Sequence, residues 1–504
     1  MDLQSVRTRL NPPQILRDLI TEPAFTEADL GMPLPKTRHA CSVCLPTWNS
    51  VLGYEKKLAK VMRALQAGYP RFVLHPATER LFEVARASLA ENGSQVVVFP
   101  NKDAAQRAQR FVEKRTGSAS RIASFEGLQA LVVSEEDYPV AMEYWRYTGE
   151  VVSSRQADRI LRGKESKSHN SVSLRKRLAK LGNHKPESVF IYENGMAAMY
   201  AIFRAANKLL PGRKTLQLEF PYVDAMRVQK HLGNGVVYLN EAVGESLDEA
   251  LSRIAKGEFS AVFCEAPSNP LMRTVDLPRV SRACRDGGVP LVVDDTISST
   301  ANVRVDKYAD VIVSSLTKWI SGKGDVMAGQ ITVCRKSPLQ SELMAFFEAD
   351  CPNGCRLYAS DARVLARNIS SFSDRMKKCN ETAEVIADFL QAHPAIETVW
   401  YPKYTTPESY EAIRREGGGY GGLISFVLKN RKKTPRFFDA LKISKGPSLG
   451  TEFSLACPYT LLAHYDELEW VEGCGLDKHL IRISVGTEDA GELESRLAQA
   501  LELA

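Results

Sequence analysis

The sequence predicts an α/β protein whose largest part is built on a mostly parallel β-sheet. From about residue 151, short apolar runs alternate with helix-like stretches for more than 150 residues, which is typical of a sheet covered by helices on both faces. A smaller pattern of strands and helices precedes this part, and another follows it. We therefore predict an N-terminal extension with a small α/β domain, a large domain and a C-terminal small α/β domain, at residues 1–150, 151–395 and 396–504.

The N-terminal region divides into two parts. Residues 1 to about 68 are rich in proline and polar residues, which predicts ordered but irregular chain. A regular pattern begins at Arg71. Its apolar runs predict three strands, at 72–74, 95–99 and 128–133, and the stretches between them predict helices at 76–91 and 103–114.

The strands of the large domain are predicted from apolar runs of four or five residues. These runs are 189–192, 215–218, 235–239, 261–265, 290–294 and 311–315. Because ligands of open α/β sheets bind at the carboxyl ends of the strands, we expect the chemistry of the protein there. A helical run at 358–391 then leads to the third region, with strands near 422–428 and 480–485 and a last helix from about 488.

Composition excludes several classes of protein. The 504 residues are 44% apolar and 25% charged, close to the averages for globular proteins. The net charge of +6 is spread along the chain rather than gathered in a basic arm, so we predict no nucleic-acid partner. The first residues show no apolar core of the signal-peptide type, and no stretch approaches the roughly 18 apolar residues of a membrane helix. We expect a cytoplasmic protein with no membrane partner.

The ten cysteines are dispersed, and we expect them to be reduced. Cys41 and Cys44 have the spacing of a redox or zinc pair. No second cysteine pair or histidine pair follows at a zinc-like interval. We therefore predict no metal site.

Lys318 follows the apolar strand 311–314 directly, in the segment Ser315-Leu-Thr317-Lys318, so it leaves the sheet at the carboxyl end of a strand. A lysine that forms a Schiff base needs such a rigid support. The two hydroxyls before it are suited to binding a phosphate. Taken alone, this short segment favours a lysine on the surface, and the other sites reverse that preference.

Asp294 ends another apolar strand and stands next to Asp295, where uncharged residues are expected. An aspartate that faces a pyridine nitrogen keeps that nitrogen protonated and makes the ring an electron sink. The pair alone favours a helix N-cap or a solvated strand end.

Two further positions are suited to anions. Gly195 and Met196 precede the helical run 197–206, and the free backbone amides of a helix start bind phosphate, although a glycine there is also common in capping. Arg482 stands in an otherwise apolar strand near the C-terminus, where an unpaired guanidinium would be costly to bury. It requires a carboxylate, which either a substrate or an internal acidic residue can supply.

Together these segments resemble, in order and spacing, the PLP-dependent enzymes of cysteine and methionine transsulfuration, over roughly residues 150–504. The motifs are Asn194-Gly-Met196, Glu265-Ala-Pro-Ser-Asn-Pro270, Val293-Asp-Asp-Thr296, Ser315-Leu-Thr-Lys318 and Arg482-Ile-Ser-Val-Gly-Thr-Glu488. Within that family, the N-terminal region and three finer segments resemble the fungal type of cystathionine γ-synthase. The three segments are Thr148–Arg155, Phe220-Pro-Tyr222 and Ala456–Tyr465.

The resemblance implies a PLP-dependent transferase of fold type I, like aspartate aminotransferase, with an additional N-terminal α/β domain. Lys318 would hold pyridoxal 5′-phosphate as a Schiff base and act with Tyr222 as a catalytic residue, moving protons between substrate carbons. The substrate carboxylate would bind Arg482, with Ser448 close by. The resemblance also implies that Tyr222 lies against the face of the cofactor ring, Asp294 faces the pyridine nitrogen and Asn269 lies beside the ring hydroxyl. The phosphate would bind to Gly195, Met196, Ser315, Thr317 and Arg155.

The implied reaction is γ-replacement on an O-acyl-L-homoserine, acetylated or succinylated, with cysteine as the nucleophile. This is the transsulfuration step that leads toward methionine. The likeness also implies amino-acid substrates and a homo-oligomer, a dimer or tetramer. Two departures are noted: no tyrosine aligns beside Arg155, and Phe453 stands where cystathionine-cleaving relatives often carry glutamate.

Two alternatives to this reaction stay open. A related enzyme of secondary metabolism would perform the same first half-reaction and then add a carbon or amine nucleophile, making a non-proteinogenic amino acid. A catalytically dead regulatory or binding protein would keep the fold alone. The intact Lys318, Asp294 and Arg482 speak against this last alternative.

Overall fold

The computed structural model of the protein describes residues 17–91, 93–164 and 171–503. Residues 1–16 lie outside the described residues. The prediction that there is no signal peptide rests on these residues. Three β-sheets organise the described chain. Across these ranges no helix is long and apolar enough to cross a membrane, and no group of three or more His, Cys, Asp and Glu side chains is placed to hold a metal ion.

The first sheet has three antiparallel strands in the order β1-β3-β2. The elements of this region are α1 (Trp48–Glu55), α2 (Ala59–Ala64), α3 (Pro76–Leu89), β1 (Ser94–Phe99), α4 (Lys102–Thr116), β2 (Arg121–Phe125), β3 (Leu128–Ser134) and α5 (Tyr138–Thr148). Two predictions were wrong here. Residues 72–74 form no strand, because the amides of Phe72 and Val73 both donate to the carbonyl of Tyr69 in a turn. The segment before residue 68 contains α1 and α2, and α1 begins at the capping hydroxyl of Thr47.

The strand β2 was not predicted. It lies at an edge of the sheet, and among its five residues only Phe125 is buried. Such a strand lacks the apolar pattern by which buried strands are found.

The second sheet has seven strands in the order β4-β10-β9-β8-β7-β5-β6. Its strands are β4 (Val189–Tyr192), β5 (Thr215–Leu218), β6 (Val236–Leu239), β7 (Val262–Glu265), β8 (Leu291–Asp294), β9 (Val311–Ser315) and β10 (Gly329–Val333). The helices of this region are α6 (Ser154–Leu161), α7 (Ser171–Gly182), α8 (Gly195–Leu209), α9 (Val223–His231), α10 (Gly244–Ala255), α11 (Leu277–Gly287), α12 (Ser299–Asn302), α13 (Gln340–Asp350), α14 (Ala359–Asn368) and α15 (Phe372–Ala392).

Six of these seven strands match the predicted runs, and the strands from β5 to β9 pair in parallel. The strand β10, which runs antiparallel between β4 and β9, was not predicted. An antiparallel return needs no crossover helix, so the alternation of strands and helices did not reveal it. The chain between β9 and β10 carries Lys318.

The third sheet has five strands in the order β11-β12-β15-β14-β13. Its region contains β11 (Ile396–Trp400), α16 (Pro402–Thr405), α17 (Pro407–Glu411), β12 (Leu423–Leu428), α18 (Thr434–Ala440), β13 (Ser444–Lys445), β14 (Leu455–Pro458), α19 (Tyr459–His464), α20 (Leu468–Gly473), β15 (Ile481–Ser484) and α21 (Ala490–Glu502). The predicted strands near 422–428 and 480–485 are β12 and β15, whereas β11, β13 and β14 were not predicted. The predicted helical run at 358–391 is two helices, α14 and α15, separated by a 3₁₀ turn.

Short 3₁₀ turns complete the described chain at Glu27–Asp29, Pro186–Ser188, Val305–Lys307, Pro352–Gly354, Ile369–Ser371, Arg431–Lys433 and Tyr465–Glu467.

The N-terminal segment, residues 43–72, packs against parts of the protein that are far from it in the sequence. Val43, Trp48 and Val51 share an apolar core with β12 and β15 of the third sheet. The amide of Leu45 donates to the carbonyl of Lys445 at 3.0 Å. This packing brings the residues that follow, as far as Phe72, alongside the carboxyl ends of the central strands. The domain boundaries at 150 and 395 stay a prediction.

Candidate active site

A cavity of about 370 Å³ opens where β7, β8 and β9 end. Its wall includes eight of the predicted site residues: Gly195, Met196, Tyr222, Asn269, Asp294, Ser315, Lys318 and Arg482. The central sheet, the N-terminal segment and the third sheet all contribute to this wall. The expectation that functional side chains gather at the carboxyl ends of the parallel strands therefore agrees with their placement.

Lys318 lies in the cavity just beyond the end of β9 and is partly buried. Its Nζ donates to Oγ of Ser448 at 3.2 Å and lies 4.6 Å from the ring centroid of Tyr69. Burial lowers the pKa of Lys318 to about 7, and the positive charge of Arg482 acts in the same direction. A substantial fraction of this amine is therefore neutral near pH 7 and can attack an aldehyde.

Two carboxylates meet at the ends of neighbouring strands. Glu265 ends β7 and Asp294 ends β8, and the two residues are paired in the parallel register. Glu265 accepts from the amides of Tyr222 at 2.6 Å and Asn269 at 3.0 Å, and Asp294 accepts from the amide of Thr296 at 2.8 Å. Burial raises the pKa of both carboxyl groups, and the charge of Asp294 raises that of Glu265 further. Within the described ranges neither forms an ion pair with a cationic side chain.

The start of α8 forms a concave wall against β9. Asn194 caps this helix by accepting from the amide of Ala197 at 3.0 Å. Gly195 follows, and a Cβ atom at this position would lie 2.9 Å from the Cβ atom of Ser315. The glycine therefore keeps open a space beside the helix amides and the hydroxyl of Ser315, the arrangement that suits a phosphate.

Arg482 is buried in β15, with an exposed fraction of 4%. Its guanidinium donates to Oδ1 of Asn269 at 3.1 Å and to the carbonyls of Pro447 at 2.9 Å and Ser448 at 3.3 Å. In the part of the chain that the structure describes, no Asp or Glu side chain forms an ion pair with it. Held by neutral acceptors and facing the cavity, Arg482 is suited to a carboxylate from outside the protein.

Three predicted residues lie outside the lining of the cavity. Ser448 stays close, because its hydroxyl accepts from Lys318. The hydroxyl of Thr317 instead faces the backbone of Ala328, accepting from its amide at 3.1 Å. The guanidinium of Arg155 pairs with Asp361 at 2.9 Å. The roles predicted for Thr317 and Arg155 in binding phosphate stay predictions, as do those of the other site residues.

Several residues that line the cavity had no role predicted from the sequence, among them Tyr69, Arg71, Glu265, Thr296 and Tyr459. Glu265 and Thr296 stand inside motifs that had been recognised, so their strand-end positions were a usable signal. Tyr459 packs on Arg482, with its ring centroid 4.6 Å from Cζ. Tyr69 and Arg71 come from the N-terminal segment, and their only signal was an arginine set among aromatic residues.

Pyridoxal 5′-phosphate, the cofactor implied by the resemblance, fits this set of groups. Lys318 offers an amine of lowered pKa for the aldehyde. Asp294 and Glu265 have no cationic side-chain partner among the described residues, and a protonated pyridine nitrogen would supply the missing positive charge. The space beside Gly195 and Ser315 suits the phosphate.

Comparisons with known proteins agree with this fit. A model of the family described as Cys/Met metabolism PLP-dependent enzyme matches residues 164–502, and one described as fungal trans-sulfuration enzyme, N-terminal domain, matches residues 77–153. Cystathionine gamma-synthase of Neurospora crassa is 29% identical, over 94% of this chain and 98% of that protein. The cystathionine gamma-synthase-like protein ankD of Aspergillus thermomutatus is 31% identical, over 94% of each chain. The crystal structure of metB from Corynebacterium glutamicum superposes with a TM-score of 0.58 at 25% identity, covering 66% of this chain and 85% of that one.

Proposed function

This chain belongs to the family of Cys/Met metabolism PLP-dependent enzymes, and we propose that it catalyses γ-replacement on an O-acyl-L-homoserine with cysteine as the nucleophile. The predicted fold type I architecture and the predicted cofactor, pyridoxal 5′-phosphate, are confirmed by the family. The observation that carries the proposal is one cavity that holds both a lysine of lowered pKa and an arginine paired with no described carboxylate.

When bound, the cofactor supplies an electron sink for negative charge on the substrate carbons. Lys318 is the base, because its Nζ lies in the cavity and has a lowered pKa, and it can take a proton from one carbon and return it to another. Arg482 fixes the substrate carboxylate and thereby decides which bond at the α-carbon faces the ring. Tyr222 lines the same cavity and is the second group placed to move a proton.

Replacement rather than cleavage is favoured by position 453. Phe453 is buried in an apolar cluster with Leu34, Cys44 and Leu455. Its side chain therefore adds no carboxylate to the site, unlike the glutamate that cystathionine-cleaving relatives often carry there. We further propose that the protein is cytoplasmic, as its composition predicts, and that it forms a homo-oligomer, as the resemblance implies.

The second candidate is an enzyme of secondary metabolism that adds a carbon or amine nucleophile after the same first half-reaction. The match to the protein ankD favours it, since that relative is described only as similar to a cystathionine gamma-synthase and matches 94% of this chain.

A product survey tests both candidates. The purified protein, loaded with pyridoxal 5′-phosphate, is given O-acetyl- or O-succinyl-L-homoserine with cysteine, sulfide, an amine or a β-keto acid, and products are identified by mass spectrometry. Cystathionine formed from cysteine supports the first candidate, and a new amino acid formed only from a β-keto acid or an amine supports the second. A cofactor-loaded protein that consumes neither ester with any nucleophile would overturn both.

A further inference from the structure

We propose that Arg71, in the N-terminal segment Tyr69–Phe72, is a positioning residue that holds the phenol of Tyr222 and so makes this segment part of the active site. The inference rests on the proposed function, in which Tyr222 moves a proton. It gives a role to a segment that lies before the residues matched by either family model.

The contacts of Arg71 join three parts of the molecule. Its Nη2 donates to Oη of Tyr222 at 2.6 Å. Its Nη1 donates to Oδ2 of Asp224 at 2.6 Å and to the carbonyl of Arg146 at 2.7 Å. The guanidinium is thereby fixed at the start of α9, where Tyr222 and Asp224 stand two residues apart.

Burial makes this arrangement strong. The side chains of Arg71 and Asp224 are 1% and 0% exposed. Hydrogen bonds to charged groups in such surroundings are shorter and stronger than those between neutral groups. Without Arg71, the buried carboxylate of Asp224 would keep only a longer contact with Arg227, at 3.4 Å. The position of the Tyr222 phenol is therefore set by an ion pair rather than by packing alone.

The chemistry of the guanidinium also orients the proton of the phenol. An arginine donates hydrogen bonds and accepts none, so Oη of Tyr222 must act as the acceptor toward Arg71. The phenolic hydrogen then points away from the guanidinium, and Tyr222 lines the cavity. The positive charge also opposes the rise that burial causes in the pKa of Tyr222.

The same segment reaches the catalytic lysine. The ring of Tyr69 lies 4.6 Å from Nζ of Lys318, and Cζ of Arg71 lies 5.6 Å from that ring. The charge of Arg71 adds to the factors that lower the pKa of Lys318. Tyr69 and Arg71 thus contact both groups to which the mechanism assigns a proton.

Steady-state kinetics on four proteins test the proposal: the cofactor-loaded wild type, Arg71→Gln, Tyr222→Phe and the double variant. We expect Arg71→Gln to lower kcat by roughly 10- to 150-fold with a smaller change in KM, from the loss of a charged hydrogen bond. Adding Arg71→Gln to Tyr222→Phe should then cost little more, because both changes remove one interaction. The proposal is overturned if the two substitutions lower kcat independently, so that their fold-changes multiply in the double variant. It is also overturned if Arg71→Gln leaves kcat unchanged.

A second measurement does not depend on turnover. The circular dichroism of the bound cofactor in the visible range reports the asymmetry of the groups around its ring, so Arg71→Gln and Tyr222→Phe should weaken it alike. Arg204→Gln is the matched control. Arg204 forms a partly buried ion pair with Asp350 at 2.7 Å and does not line the cavity, so its replacement should leave the signal unchanged. An unchanged signal in Arg71→Gln contradicts the proposal even if no substrate is ever turned over, whereas a failed product survey with the predicted dichroism contradicts only the proposed function.

If Arg71→Gln fails to fold because Asp224 keeps only its longer contact with Arg227, at 3.4 Å, the comparison is made in the Asp224→Asn background. There the buried negative charge is gone, and the dichroism of Asp224→Asn is compared with that of the double variant. A further loss of signal on removing Arg71 supports the positioning role, and equal signals overturn it.

Discussion

Lys318 and Lys445 are two lysines of lowered pKa in two different regions, and their surroundings give them different roles. Lys445 lies where the N-terminal segment meets the third sheet, is 0% exposed, and donates to the carbonyls of Pro46 and Asp439, each at 3.0 Å. Lys318 lies in the cavity and donates to one hydroxyl, that of Ser448. Each amine also faces an aromatic ring at 4.6 Å.

The comparison shows that burial by itself does not make a reactive lysine. Burial lowers the pKa of both amines, to about 7 for Lys318 and about 8 for Lys445. The negative charge of Asp439 opposes this shift at Lys445, whereas the positive charge of Arg482 adds to it at Lys318. The neighbours therefore suit one amine to holding two chain segments together and the other to chemistry.

The largest difference is expected in catalysis. Lys318→Ala should lower kcat by more than about 1,000-fold, because it removes both the cofactor's covalent attachment and the base. Lys445→Met should leave the kcat of the folded fraction within about twofold of the wild type. Turnover of O-acylhomoserine and the visible absorbance of the loaded protein measure this contrast, and comparable losses in the two variants would refute it.

The charge of Arg482 can be removed to sharpen the contrast. Arg482→Gln should lower kcat/KM by roughly 100-fold, because charged hydrogen bonds to the substrate carboxylate are lost. It should also raise the pKa of Lys318, because a neighbouring cation no longer disfavours the protonated amine. The rate at which the cofactor-free protein captures pyridoxal 5′-phosphate should then rise with pH through a midpoint above 7. An unshifted midpoint would show that Arg482 does not act on Lys318.

Stability should respond to pH through Lys318. Its pKa is about 7 in the folded chain against 10.5 ordinarily, so the unfolded chain binds more protons between these values and stability rises with pH across that window. Below pH 7 the amine is protonated in the folded chain as well, and the full free-energy cost of burying its charge is present. Lys318→Met should therefore stabilise the cofactor-free protein by about 2–3 kcal/mol at pH 6, and the gain should shrink at pH 9. Urea unfolding at the two pH values measures it, and a gain independent of pH would argue against the lowered pKa.

The smallest effect is expected at Lys445, where the N-terminal segment meets the third sheet. Lys445→Met should destabilise the protein by about 1–2 kcal/mol, because two buried carbonyls lose their donor. Thermal unfolding measures this loss, with Lys442→Met as a control, since Lys442 bonds only an exposed glutamine among the described contacts. Equal effects of the two substitutions would mean that the buried hydrogen bonds of Lys445 contribute nothing.

The elements that the sequence could predict are those with a strong local pattern. Six central strands were found because each is a short apolar run, and Lys318, Asp294 and Gly195 were found because each stands next to such a run or a helix start. The strands β2 and β10 were missed because one is an exposed edge and the other an antiparallel return. Residues 72–74 were apolar enough for a strand, but the amides of Phe72 and Val73 donate to the carbonyl of Tyr69 in a turn.

The sequence by itself determined the family, the cofactor and the order of motifs along the central strands, because these depend on residues close together in the chain. Only the tertiary structure decided which side chains face the cavity. In the folded chain the hydroxyl of Thr317 faces Ala328. Tyr69 lies beside Lys318, and Arg71 donates a hydrogen bond to Tyr222. The physical reason is that a side chain's partner is chosen by the packing of distant segments, as between Arg71 and Asp224, which are 153 residues apart.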